Sequence, residues 1–141
     1  MNCNEISKNC MFNKLRQVSR HVTSIYVKSL KSVGVTPIQY SMMTAIKVLK
    51  SANINVLSDA IKMDRTTLNR NLKPLIRDGI VNIGCFEDRR EKLVSLTKKG
   101  EEIYEKGYDK WKEAQNELEN EIGRENWDSM NTLLDDIVKK I

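Results

Sequence analysis

Apolar residues recur every three to four positions along most of this chain, and the interval drops to two in one stretch only, between Val81 and Leu96. That pattern predicts a mainly helical protein with one small β-hairpin. A first helix is expected over about Cys10–Ser32, with Leu15, Val18, Val22, Ile25 and Tyr26 on one face and Gly34 breaking it. Thr36-Pro37-Ile38-Gln39 then combines a capping threonine, a proline suited to the first helical position and a glutamine able to close a capping box. The second helix carries Ile38, Met42, Ala45, Ile46 and Leu49 inward and should end near Ser51, where Asn53 and Asn55 favour a turn. A short third helix should place Leu57, Ala60 and Ile61 inward before a break at Met63-Asp64.

The helix that follows, capped by Asp64, divides its residue types sharply. With Leu68 at zero, Leu72, Leu75 and Ile76 fall within about 80° of it, while Thr66, Arg70, Lys73 and Arg77 lie between roughly 140° and 200°. Asn69 flanks the apolar stripe, and Arg65 and Thr67 belong to the exposed first turn. Charged faces of helices are commonly just solvated. This one holds no acid before Asp78, whereas a face built for solubility interleaves both signs. A short helix and a tight break precede it, and a hairpin whose tip reads Glu87-Asp88-Arg89-Arg90-Glu91 comes after. Helix, turn, helix and basic-tipped hairpin describe a winged helix-turn-helix. Arginine and asparagine can read base edges bidentately in the major groove, threonine can meet a thymine methyl, and a wing arginine suits the minor groove. Asp88 can hold Arg90 in place from within the tip. Pro74 removes one helical hydrogen bond at a cost of ~3 kcal/mol in a regular helix, and a bend rather than a stop is expected there.

Charge follows the same division. Residues 1–55 carry eight Lys/Arg and one acid, residues 56–100 ten against six, and residues 101–141 six against twelve. A basic body with an acidic C-terminal third suits a chain of which one part meets a polyanion and another does not. Three cysteines without C-x-x-C spacing and one histidine argue against a zinc site or a disulfide framework. No cofactor is implied, and no nucleophile is paired with a base as an enzyme would need. No stretch is long and apolar enough for a membrane span, and the polar N-terminus does not read as a signal peptide, so a cytoplasmic protein is expected.

After Thr97, which can cap it, a long helix steps through Tyr104, Tyr108, Trp111, Gln115, Leu118 and Ile122. Beyond Gly123 a last helix steps through Trp127, Met130, Leu134, Ile137 and Ile141. Two such seams exceed what a short helical hairpin can bury in itself, so the N- and C-terminal helices are expected to pack with a second copy of the chain. An intramolecular bundle is the alternative. The expected organisation is a dimerisation region from residues 1–35 and 101–141 around a winged helix-turn-helix domain at 36–100.

The run Leu57–Val81, the tip Asp88-Arg89-Arg90 and the segment Val94-Ser95-Leu96-Thr97-Lys98-Lys99-Gly100 together resemble the MarR family of bacterial transcriptional regulators, and the likeness extends from about Leu15 to the C-terminus. The resemblance implies a triangular homodimer on a pseudo-palindromic operator in double-stranded DNA, with one helix in the major groove and the wing in the minor. It places Arg65, Thr66, Thr67, Asn69, Arg70 and Lys73 on the reading helix and Asp88, Arg89 and Arg90 on the wing. It further implies repression relieved by a small, often aromatic or phenolic, effector lodged between the two parts of the protomer, for which His21, Tyr40, Tyr108 and Trp111 are candidates beside a plain packing role. Some members respond instead to cysteine oxidation. Cys10 is the candidate here, although the position of the hydroperoxide-sensing cysteine in that branch holds Phe12, and that of its second tyrosine holds Pro37. A non-specific architectural DNA binder is a further alternative, which the Thr/Asn/Arg mixture argues against.

Overall fold

The computed structural model describes residues 2–85 and 92–141. Among these described residues, seven α-helices, α1 (Cys3–Asn9), α2 (Met11–Leu30), α3 (Pro37–Leu49), α4 (Ile54–Ile61), α5 (Arg65–Arg77), α6 (Lys98–Ile122) and α7 (Arg124–Lys140), accompany three strands, β1 (Ala52–Asn53), β2 (Val81–Cys85) and β3 (Lys92–Leu96). The chain forms two compact units, residues 30–110 and residues 1–29 with 111–141.

In the first unit, α3 begins at the anticipated capping box: Gln39 N–H donates to Thr36 Oγ1 at 3.2 Å and Thr36 N–H to Gln39 Oε1 at 3.0 Å. Its buried face is rotated from the expected one. Tyr40, Met42, Met43 and Ile46 are inside, whereas Ile38 is half exposed. The asparagines after α3 do more than turn the chain. Ala52 and Asn53 pair with Val94 and Leu93, making a third antiparallel strand in the order β1-β3-β2, and Asn53 Oδ1 then caps α4 by accepting from Val56 N–H at 2.8 Å. Of the expected inward residues of α4, only Leu57 is buried. The alternation after Gly79 gives β2 and β3 in the register Val81↔Leu96, Ile83↔Val94 and Cys85↔Lys92. Leu57, Leu68, Leu72, Leu75, Val81 and Val94 fill the core together with the methionines of α3.

The opening turns of α6 belong to this unit. The Tyr40 ring stacks on Tyr104 with centroids 5.1 Å apart, and its hydroxyl donates to Tyr104 O at 3.1 Å. Gly107 lies so close that a Cβ there would overlap Tyr40 Cε2. Lys47 pairs with Glu101 and sits 5.1 Å from the centre of the Tyr104 ring.

In the second unit, Ile25, Ala114 and Leu118 form a small core flanked by Val22, Tyr26, Ile122 and Trp127. Tyr26 Oη donates to Gln115 Oε1 at 2.6 Å, so that seam position is a hydrogen-bond partner as well as a spacer. Other residues of the apolar pattern are left open among the described residues. Phe12 and Leu15 on α2 and Leu134 and Ile137 on α7 are exposed, and α7 buries no residue.

Candidate nucleic-acid interface

Local hydrogen bonds build the turn between α4 and α5. Lys62 takes a left-handed conformation with φ 49°, and Met63 N–H donates to Ser58 O at 3.1 Å while Ser58 Oγ bonds Met63 O. Asp64 caps α5 doubly, accepting Thr67 N–H on Oδ2 at 3.0 Å and the Thr67 hydroxyl on Oδ1 at 2.6 Å. These bonds, the hydroxyl's foremost, hold the Asp64 carboxyl below the usual carboxylate range. A group whose folded value is depressed stabilises the fold above its unfolded value, about pH 4, and loses that contribution as the pH falls through the folded value. The urea midpoints of Asp64→Ala and the parent protein are therefore expected to differ at neutral pH and converge as the pH drops below about 4.

The cap anchors a helix with two faces. Leu68, Leu72 and Leu75 are buried; Ile76, expected on the same stripe, is 38% exposed. Thr66, Asn69, Arg70 and Lys73 are all exposed. None of the four forms a side-chain bond among the described residues. The neighbouring positions are committed elsewhere. Arg65 Nη2 bonds Asn55 Oδ1, the Thr67 hydroxyl belongs to the cap, and Arg77 Nε donates to Asp78 Oδ1 at 3.1 Å. The helix passes through Pro74 and ends at Arg77, in line with the expected continuation. What remains is a row of one cationic head, one guanidinium, one amide and one hydroxyl, with α5 presenting them to solvent. That set can bridge phosphates and donate to base acceptors in one groove.

Asn55 is the participant missed in the sequence. Its bond to Arg65 spans ten residues and exists only once the turn has folded, so periodicity carries no sign of it. Asp88, Arg89 and Arg90 of the expected tip lie outside the described residues, which carry the wing as far as Cys85 and again from Lys92.

The effector candidates fall into both units. Tyr40 and Tyr108 belong to residues 30–110. Tyr40 is buried against Tyr104, and burial first, then the adjacent Tyr104 and nearby Glu105 and Tyr108, pushes its hydroxyl well above the phenol range. His21 and Trp111 belong to the other unit, where His21 Nε2 lies 2.7 Å from Glu121 Oε1 on the surface and Trp111 is half-buried. Cys10 is the half-buried C-cap of α1. Among the described residues, no group of three or more His, Cys, Asp or Glu side chains is arranged to hold a metal ion, and no helix is long and apolar enough to cross a membrane.

The α4-turn-α5 pair, the sheet beside it and the exposed face of α5 define a winged helix-turn-helix protein. No protein-family model matches the chain. It is 30% identical over 105 residues to the HTH-type transcriptional regulator SarZ of Staphylococcus saprophyticus, covering 74% of this chain and 72% of that one. Among solved structures, M. tuberculosis MosR in complex with DNA superposes with a TM-score of 0.74 at 28% identity, over 94% of this chain and all of the other. An E. coli MarR mutant complexed with operator DNA shares the fold, with a TM-score of 0.85 over 97% of this chain and 99% of the other at 19% identity. The chain belongs to the MarR family of transcriptional regulators.

Proposed function

We propose that this protein is a sequence-specific repressor that binds a pseudo-palindromic operator as a homodimer and is released by a small aromatic or phenolic effector. The observation that carries the reading is the uncommitted, one-signed face of α5: Thr66, Asn69, Arg70 and Lys73 project together while their neighbours are tied to the protein. Asn69 and Arg70 match the acceptor patterns of adenine and guanine, and Lys73 suits phosphate. MosR, 28% identical to this chain and solved in complex with DNA, supports DNA binding; in our reading α5 enters the major groove and Asp88, Arg89 and Arg90 serve the wing contact. Arg65, held by Asn55 at the start of α5, serves phosphate, as does the positive end of the helix. Dimerisation is supported by the open apolar rows on α2 and α7, which a second copy would cover.

The test is a selection of bound duplexes from a random pool, followed by titration of the winner. Operator affinity is expected to fall steeply with salt as phosphate contacts release counterions. Arg70→Ala is expected to lose roughly 1–3 kcal/mol at one base position and relax preference there. Retention of full preference by Arg70→Ala, or selection of no common inverted repeat, would overturn the assignment.

A further inference from the structure

The Leu96–Gly100 segment, part of the sequence signature, has a geometry that the DNA contacts alone do not account for. α5 closes on Gly79, whose φ of +69° lets Ile80 N–H reach back to Leu75 O at 2.8 Å. The next three carbonyls are then all taken by the start of α6. Lys99 Nζ donates to Asp78 O at 2.6 Å, the Thr97 hydroxyl to Gly79 O at 2.5 Å, and Thr97 N–H to Ile80 O at 3.0 Å. The same Thr97 oxygen accepts Gly100 N–H at 3.0 Å, so one hydroxyl both caps α6 and holds the end of α5.

We propose that Thr97 is a positioning residue for DNA recognition, fixing the direction of α5 through its bonds to Gly79 and Gly100. The inference rests on the reading of α5 as the groove helix. The rest of the hold on α5 comes from the packing of Leu68, Leu72 and Leu75, which is non-directional, and from the bonds of Met63 and Arg65 to α4 at its first turn. With one end so placed, hydrogen bonds at the other end set the direction of the helix. Bidentate base contacts need that orientation, whereas attraction to phosphate does not. Loss of the Thr97 hydroxyl therefore acts on discrimination between sequences before it acts on general affinity for DNA.

The experiment compares full-length wild type, Thr97→Val and Thr97→Ser on the selected operator and on a scrambled duplex of equal length at one salt concentration, with thermal melting alongside. Thr97→Val is expected to bind the operator about tenfold more weakly, the scale of a lost hydrogen bond, with scrambled-duplex affinity changed less than about twofold. Thr97→Ser, which keeps the oxygen, should restore the ratio. An unchanged ratio in Thr97→Val, or equal loss on both duplexes, overturns the inference. Should Thr97→Val melt below the assay temperature, Lys99→Met removes the exposed bond to Asp78 O together with one positive charge, and the charge acts on both duplexes alike; a fall of about two- to threefold in the ratio supports the inference and an unchanged ratio overturns it. Wild type binding both duplexes equally would defeat the DNA reading itself, and the inference with it.

Discussion

Gly100→Ala is expected to destabilise the protein by about 3 kcal/mol, because the joint between α5 and α6 has no room for a side chain. A Cβ at Gly100 would overlap Ile80 O and lie 3.1 Å from the Ile80 carbonyl carbon. The obstacle is backbone, and that backbone is fixed from the other side by Thr97 and by the buried Ile80 and Val81. Relief requires the first turn of α6 to move away from α5. In a chain of this size the loss corresponds to a fall of about 10 °C in Tm. Calorimetry or circular dichroism checks it, with Gly84→Ala as the neutral comparison, since a Cβ there meets nothing within 4 Å among the described residues. A change of under about 3 °C for Gly100→Ala would mean that the joint yields easily.

Ile137→Glu is expected to act at the other end of the molecule and on a different property. Ile137 is 42% exposed and lies outside the cluster that Trp127 of α7 packs against, so a glutamate there leaves the protomer core intact. In the proposed dimer the same carboxylate would be desolvated among apolar side chains without a partner. The pair should separate at micromolar concentration, with helical content preserved. Two linked half-site readers gain about 10²–10⁴ in affinity over one, so operator binding should collapse by a comparable factor. Sedimentation and gel-shift titration read the two effects. A variant that sediments as a dimer and binds normally would place the interface elsewhere.

The parts of this fold that were legible in the sequence are those set by neighbours along the chain. Thr36 with Gln39, Asp64 with Thr67 and Thr97 with Gly100 are caps closed within three residues, and each forms as its residue types suggest. The polar face of α5 was readable because thirteen residues of helix are enough to fix a phase. The eight residues of α4 were not, and Ala60 and Ile61 fall short of the core. Distant partners decide the rest. Ala52 and Asn53 are a strand because β3 lies beside them, and two residues have no period to show. Gly107 and Ala114 are needed small by what packs on α6, Tyr40 in one case and the cluster with Ile25 in the other. The bond between Asn55 and Arg65 was hidden for the same reason, as it depends on the turn that separates them.

The length of α6 carries a mechanical consequence. Its 25 residues form a rod about 37 Å long. A tilt of about 5° at one end of such a rod sweeps the other through about 3 Å, close to the rise from one base pair to the next. In the proposed operator complex, a leverage of that size would turn a small angular disturbance into the loss of one full step of register.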